Sequence, residues 1–508
     1  MTSIDHKAFF INGAWRAAES TGHFDVISPR SEQSIGGAPA ASKTDLDAAV
    51  AAARHAFGFK KSGLGRKHGP DAVQEYLLTK TISIDPGEVL PESVTRNVPR
   101  STRPGVPSSR LSSAPGPSAP PLRYPSTMEN PMHTRHPEID PHLLSETEEQ
   151  RELRGVLRSL FAEASGPDAV RKHAATPRGY DEALWARLAG EIGVHGLAIP
   201  EEYGGSGFTF AELAVALQES GRALYCAPLL PTVILAVHAL LNSGDRDACA
   251  RFLPRIADGT LTATVAGFQD DEPAVTAERS GPGWVLRGAT DFVLDGAGAE
   301  LILVRAQTTD GIRLFAYEPT ADGCLRAPHR VLDETRRQAR VEFSGAAATP
   351  VGQSGDVTAT LDAGRAALAA EQVGGSGHAL DATAQFVTER HQFGRPIGSF
   401  QAVKHRLADL LVALEAARSA SAYATACVAL ASPQLSVAAS AAAAVCSETF
   451  HLATAEYVQL HGGIGFTWEH PAHLYVRRAR SAEVLFGTAD QHRTRLAGLI
   501  GLTSRSAA

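Results

Sequence analysis

Two strings in the carboxy-terminal part of the chain carry its most specific pattern: TERHQFGRPIGSFQAVKHRLADL (Thr388–Leu410) and YVQLHGGIGFTWEHPAHLYVRRAR (Tyr457–Arg480). Each string places a turn rich in glycine and basic residues beside a helical pattern. A guanidinium such as that of Arg390 can pair with pyrophosphate oxygens, and Gly462 and Gly463 allow backbone N–H groups to approach a phosphate closely. The alternative is that Arg390 is a solvated helix end and that the glycines only terminate a helix.

The pattern around these strings predicts the architecture. Ala- and Leu-rich helical stretches run from Leu361 to about Ile500, as in a packed bundle. Before them, short alternating runs such as GWVLRG and LILVRA, separated by Gly, Asp and Pro, predict a small antiparallel β domain. Helical spacing begins at Ser145, with an acidic first turn, and continues to about Ala257. We predict a mainly α protein with a β middle domain: a helical domain at 142–260, a β domain at 261–350 and a helical bundle at 351–502.

The front of the chain differs in composition. Residues 1–85 contain an amphipathic segment, a Gly-rich turn and a short strand-like run. Residues 86–141 are rich in Pro, Ser and Arg and have almost no apolar periodicity, so they cannot bury enough surface to offset the entropy of ordering. We predict a disordered linker there.

Composition excludes several kinds of function. The chain has 508 residues, is 44% hydrophobic and has a net charge of -7, so no global basic field attracts a nucleic acid or an anionic membrane surface. Its five cysteines form no CxxC pair, and no His cluster has metal-ligand spacing. The longest run of small apolar residues is too short to span a bilayer. We expect a cytoplasmic protein without a metal site.

The two carboxy-terminal strings resemble those of the acyl-CoA dehydrogenase family, together with the upstream loop PEEYGGSG (Pro200–Gly207). The resemblance covers about 143–502. It implies the family's three-domain fold, an acyl-CoA substrate and an FAD bound across a subunit interface. The positions implied to hold FAD are Arg390, Gln392, Phe393, Gln401, Gln459, Gly462, Gly463 and Thr488.

The family's catalytic base is missing at both of its usual positions. Dehydrogenation needs a carboxylate that takes the α-proton while the β-hydrogen leaves as hydride to the flavin. The string EVLFGTADQHR places Phe486 where the family carries a Glu before Gly-Thr, and LDAGRAALAAEQVGG places Gly364 at the alternative position. The nearest acidic residues, Asp362 and Glu371, are interpreted as solvated or ion-paired helix carboxylates rather than bases.

The loops that hold the flavin ring in this family are also altered. Their equivalents here read AGFQDDEPAV (Ala266–Val275) and DFVLDGAG (Asp291–Gly298), and the acidic residues of the first would disfavour electron density on a reduced flavin. The chain therefore resembles the non-catalytic partner in heteromeric actinobacterial steroid side-chain acyl-CoA dehydrogenases. We expect a homo- or hetero-tetramer with a second acyl-CoA dehydrogenase subunit. The alternatives are a self-sufficient dehydrogenase with a relocated base and a degenerate scaffold that binds neither FAD nor CoA.

The front segment carries a separate resemblance. FFINGAWRAAESTGHFDVISP (Phe9–Pro29) resembles the start of an aldehyde dehydrogenase, and GFKKSGLGRKHGPDAVQEYLLTKTIS (Gly58–Ser83) resembles its carboxy end. The first cysteine of the chain is Cys226, so this segment has no nucleophile for thiol-based aldehyde oxidation. We interpret residues 1–85 as an internally deleted aldehyde dehydrogenase remnant.

Overall fold

The computed structural model describes residues 144–269, 272–319 and 322–502, together with five short strands between residues 4 and 39 and the positions Ser42 and Thr44. The chain divides into two units, 1–124 and 125–508. The predicted segments at 46–57 and 76–84 and the predicted linker at 86–141 lie outside the described residues.

The strands of the first unit form a three-stranded sheet and a hairpin. In the sheet, β5 pairs in parallel with β1 and antiparallel with β4, while β2 and β3 form the hairpin. The aldehyde dehydrogenase resemblance of residues 1–85 stays a prediction. The strands are β1 (Ile4–Asp5), β2 (Ala8–Ile11), β3 (Ala14–Ala17), β4 (His23–Ile27) and β5 (Ser34–Pro39).

The second unit opens with helices, as the sequence predicts. Thr147 caps the first helix, and its hydroxyl accepts a hydrogen bond from the backbone of Gln150 at 3.3 Å. Pro231 lies at the start of a seven-residue π-helix, Leu230–Ala236. The α-helices of this layer are α1 (Glu148–Ala164), α2 (Pro167–Ala174), α3 (Glu182–Gly190), α4 (Phe210–Arg222), α5 (Val237–Ser243) and α6 (Arg246–Ala257).

The middle region is a seven-stranded sheet, which confirms the predicted order of helices, strands and helices. The expectation of a purely antiparallel sheet is wrong, because β9 pairs in parallel with β6 and, at one position, with β7. Strand β6 is buried at all its residues, so it shows a continuous apolar run and no alternation that reveals its direction. The strands are β6 (Ala263–Ala266), β7 (Thr276–Ser280), β8 (Gly283–Leu294), β9 (Leu301–Thr308), β10 (Gly311–Tyr317), β11 (Cys324–Pro328) and β12 (Gln338–Val351).

The carboxy-terminal bundle is built around two long central helices that pack on each other, α7 and α9. Helix α9, with the turn after it, is long and apolar enough to cross a membrane, but half of its most apolar window is buried in the bundle, as in the core helix of a folded domain. The bundle contains α7 (Thr358–Glu389), α8 (Gln401–Ala429), α9 (Leu435–His461), α10 (Ala472–Leu485) and α11 (Ala489–Leu499). A two-residue hairpin, β13 (His391–Gln392) and β14 (Arg395–Pro396), joins α7 to α8.

Glycines allow α7 to lie directly against α4. A Cβ on Gly374 would lie 1.8 Å from the carbonyl oxygen of Gln218, and a Cβ on Gly221 would lie 2.1 Å from that of Glu371. No side chain fits between backbones at this distance, so the crossing fixes the position of α7 along α4.

We expect Gly374→Ala to destabilise the protein by about 1–3 kcal/mol or more, because the new methyl group overlaps a backbone carbonyl. Gly377→Ala is the matched control in the same helix. Its methyl group would lie 3.7 Å from Arg418 Nη2, so the variant should gain up to about 1 kcal/mol of helix propensity. Urea denaturation followed by circular dichroism measures both, and equal stability of the two variants would contradict the account.

Candidate active site

The two positions where the family's base is expected lie in contact with each other. Phe486 follows the last residue of α10 and is 7% exposed. An ideal Cβ on Gly364 would lie 3.4 Å from Cζ of Phe486 and 2.7 Å from Cδ2 of Leu235. The phenyl ring therefore lies beside the space that a side chain at 364 would need. Positions 364 and 486 are neighbours in the folded structure.

The turn between α10 and α11 fixes the ring. Gly487 has a φ of 110°, a conformation that glycine adopts without strain, and it separates the two helices by a single tight turn. Thr488 caps α11, and its backbone N–H donates to Oε1 of Gln491 at 2.8 Å. Both helices pack in the bundle, so the turn between them fixes the position of Phe486.

Phe486 lines a cavity of about 280 Å³ between the π-helix, the sheet and the start of α7. Its walls are mostly apolar, and among the described residues that line it Asp291 is the one carboxylate. The lining includes Leu235, Val265, Phe268, Thr290, Asp291, Phe292, Leu294, Leu361 and Phe486. A chamber of this kind suits an apolar acyl chain.

Asp291 is a poor candidate for a base, and the sequence did not single it out. Its carboxylate contacts Nε2 of His329 at 2.9 Å and accepts a hydrogen bond from Nη1 of Arg340 at 2.6 Å. Desolvation raises the pKa of Asp291, but these two partners outweigh it and the net pKa lies below its ordinary value. The ionised carboxylate is already paired, so its affinity for a substrate proton is low.

The two carboxylates named from the sequence, Asp362 and Glu371, are each hydrogen-bonded to two arginines. Asp362 is fully buried and accepts from Arg365 at 2.7 Å and from Arg495 at 2.9 Å, with a further bond from Ser436. Neither it nor Glu371 is among the residues that line the cavity beside Phe486. The interpretation of Asp362 as an ion-paired structural carboxylate agrees with these contacts, except that it is buried and not solvated.

Glu371 is also buried, and it is bound by Arg336 and Arg478. Burial raises its pKa, but the two guanidinium groups outweigh burial and the net pKa is lowered. Glu371 lies two turns of α7 beyond Gly364, ~10 Å along the helix axis. It is therefore neither basic enough nor close enough to act as a carboxylate placed at 364 or 486 would.

A second, more polar cavity of about 530 Å³ also borders Phe486. It contains guanidinium groups and the first turn of α11, and Nε of Arg365 is buried there without a hydrogen-bond partner in the described structure. Burial and the two nearest arginines lower the pKa of His492 to about 4, so this ring is neutral at pH 7. The polar lining includes Arg305, Arg365, Gln491, His492 and Arg495. These hydrogen-bond donors suit the ribityl and pyrophosphate oxygens of an FAD. Two of them, Gln491 and His492, belong to the first turn of α11, which Thr488 caps.

The remaining residues predicted to contact FAD lie together at the other end of α7, all of them on the surface. Phe386 stacks on His461 with ring centroids 4.1 Å apart, which brings the hairpin after α7 beside the turn after α9. Phe393 is 90% exposed and has a φ of 54°, and added Cβ atoms on Gly462 and Gly463 would meet nothing within 4 Å. The exposed residues grouped here are Arg390, Gln392, Phe393, Gln401, Gln459, Gly462 and Gly463.

The two groups of predicted FAD contacts are far apart within one chain. Gly364, beside Phe486, and Arg390 are separated by ~39 Å along α7. The structure thus brings Arg390 close to Gly462 but does not bring either of them to Thr488. One FAD cannot reach both ends, so the residues present fit the cofactor only as two half-sites.

The loops expected near the flavin ring border the apolar cavity. Phe268 and Gln269 of the first loop line it, and so does the second loop from Asp291 to Leu294. Phe292 has a φ of 55°, an uncommon conformation for a bulky residue and one found at functional sites. Residues 270–271 lie outside the described residues, and Glu272 is exposed. The predicted effect of these acidic residues on a flavin stays a prediction.

Comparison with known proteins agrees with this architecture. The family model for the acyl-CoA dehydrogenase N-terminal domain matches residues 147–260, and that for the C-terminal domain matches residues 355–500. Acyl-CoA dehydrogenase IpdE2 of Mycobacterium tuberculosis is 40% identical over 342 residues, which are 66% of this chain and 93% of that protein.

Solved structures give the same result. The Tcur3481-Tcur3483 steroid ACAD G363A variant is 33% identical with a TM-score of 0.64, over 70% of this chain and 98% of that one. The ChsE4-ChsE5 complex from Mycobacterium tuberculosis is 27% identical with a TM-score of 0.66, over 71% of this chain and 99% of that one. The chain therefore belongs to the acyl-CoA dehydrogenase family, whose members are FAD-dependent oxidoreductases that act on CH–CH bonds.

Proposed function

We propose that this chain is the partner subunit of a heteromeric acyl-CoA dehydrogenase: it contributes to an FAD site and shapes the acyl-CoA chamber, but supplies no catalytic base. The observation that carries the proposal is the contact between Phe486 and Gly364. At the point where the α-proton must leave, the chain presents a phenyl ring and a glycine, and neither can accept a proton.

The separation of the two half-sites supports the shared FAD. The exposed surface around Arg390 and Gly462 is suited to the adenosine diphosphate of a cofactor whose flavin ring is held by another chain. The cavity beside Arg365 and Thr488 would in turn receive part of a cofactor whose adenosine end another chain holds. Each such cofactor needs two subunits, since α7 keeps the half-sites ~39 Å apart.

Two relatives support the assembly and the substrate class. One similar structure is a complex of two differently named chains, ChsE4 and ChsE5, and another is named a steroid ACAD. We therefore propose a hetero-oligomer with a second acyl-CoA dehydrogenase subunit and a steroid-derived acyl-CoA as substrate. Among the described residues that line the chamber, a self-sufficient enzyme could use only the carboxylate of Asp291, which is already paired with Arg340 and His329.

The isolated chain should not dehydrogenate an acyl-CoA, and Phe486→Glu should not restore activity on its own. Leu235 and Leu361 surround this position, so burial would raise the pKa of the new carboxyl group and keep it protonated. Any residual activity should therefore increase as the pH rises. Anaerobic bleaching of the flavin absorbance by acyl-CoA is the measurement, with Phe486→Leu as the matched apolar control. If the unmodified chain shows bleaching, and Asp291→Asn or Glu371→Gln abolishes it, the base is relocated and the proposal is contradicted.

Arg390→Ala should lower the affinity of the hetero-oligomer for FAD about tenfold to a hundredfold, because it removes a charge-assisted hydrogen bond to the pyrophosphate. Arg480→Ala is the control, since Arg480 is an exposed arginine of the same bundle that pairs with Glu483. The flavin-to-protein ratio after gel filtration measures the effect in both complexes. Equal flavin content in the two variants would contradict the role given to Arg390.

A further inference from the structure

A small cavity of about 40 Å³, here called the distal cavity, adjoins the elements that line the chamber beside Phe486. Three elements run from one to the other. Leu294, at the end of β8, lines both spaces, and the π-helix contributes Leu235 to the chamber and Leu230 to the distal cavity. On α7, Gly364 adjoins the chamber and Glu371 lines the distal cavity, ~10 Å further along the axis.

The wall of the distal cavity is a buried network of charges. Arg478 donates to Asp333 at 2.9 Å and to Glu371 at 2.5 Å, and it also bonds the carbonyl of Thr335 at 3.0 Å. Arg336 donates to the same carboxylate of Glu371 through Nη2. These contacts hold both guanidinium groups in place at the end of the space.

Two donors on this wall have no hydrogen-bond partner among the described residues. Nη1 of Arg336 and the hydroxyl of Tyr225 are both buried, and the side chains are only 8% and 5% exposed. Both residues line the distal cavity. An apolar ligand end would leave the two donors unsatisfied, which is unfavourable in a buried site, whereas an acceptor oxygen would satisfy them.

The charges around the cavity favour an uncharged acceptor. Arg336 and Arg478 are balanced by Glu371 and Asp333. An additional carboxylate would have no counter-ion in this group, and burying an unpaired charge is costly.

The second layer of charges is balanced as well. Asp295 lines the cavity, and burial raises its pKa to about 6, with Arg337 and Arg178 opposing that shift. Arg178 itself pairs with Glu182 at 3.0 Å. At neutral pH the ionised Asp295 and Arg337 offset each other, so the surroundings add no net positive charge for an anion.

We propose that the distal cavity binds the oxygen of a ketone carried by the acyl group, through the hydroxyl of Tyr225 and Nη1 of Arg336. The inference rests on the proposed acyl-CoA chamber and adds the chemistry of its substrate: an acyl-CoA with a carbonyl oxygen ~10 Å beyond the reacting carbons. The reaction leaves this carbonyl unchanged, so its role is recognition alone.

The test compares three thioesters by isothermal titration calorimetry with the full chain: dodecanoyl-CoA, the same thioester with a ketone on its penultimate carbon, and the ω-carboxy analogue. We expect the ketone to bind about tenfold more tightly than dodecanoyl-CoA, from its hydrogen bond to a buried guanidinium. Tyr225→Phe and Arg336→Lys should each reduce this preference several-fold. Tyr423→Phe, on α8, is the control and should keep the full preference.

Equal binding of the ketone and dodecanoyl-CoA, or a preference that Tyr225→Phe does not alter, would overturn this inference while leaving the proposed function intact. Tighter binding of the ω-carboxy analogue than of the ketone would overturn the assignment to an uncharged oxygen. Failure of all three thioesters to bind would overturn the acyl-CoA chamber, and the distal site with it.

Discussion

The direct backbone contact between α4 and α7 is the constraint on which the arrangement of this protein depends. Gly221 and Gly374 allow the two helices to touch without intervening side chains, and this fixes α7 lengthwise in the molecule. Three of the regions assigned a role in the site lie along that one helix. Its first turns pass Phe486, its middle carries Glu371 against two arginines, and its end carries Arg390 at the surface.

The same helix supports the proposal that one chain is incomplete as a dehydrogenase. The residues predicted to contact FAD are at its two ends, so a rigid helix would prevent a single chain from enclosing the cofactor with both groups. A side chain at 364 would lie 3.4 Å from the ring of Phe486, and Leu235 already lies within the space that it would need. Burial raises the pKa of Asp291 and of Glu371, but their arginine partners outweigh burial and the net pKa values are lowered. Asp362 is bound by Arg365 and does not line the chamber. We propose that a second subunit supplies the carboxylate.

The sequence predicted the order of helices and strands, because periodicity is a local property, and the absence of a base at Phe486 and Gly364 stays a prediction. It did not predict that Phe486 would touch Gly364, since their contact depends on tertiary packing. The parallel pairing of β9 was missed because a strand buried on both faces gives no signal of direction. The charged residues Asp333 and Arg336 are buried in ion pairs with residues distant in sequence, and such burial depends on tertiary packing that no local pattern reveals. Asp291 was overlooked because only the three-dimensional cavity distinguishes it from other strand carboxylates.

We propose that no group among the described residues removes the α-proton of a bound acyl-CoA, and hydrogen exchange tests this without requiring a flavin or a hydride acceptor. The isolated chain is incubated in D₂O with an acyl-CoA, and the α-proton signal is followed by NMR. We predict that the signal decays at the rate of the protein-free buffer, since Phe486 and Gly364 accept no proton and Asp291 is paired. Exchange faster than the buffer rate, reduced to that rate by Asp291→Asn, would contradict the claim.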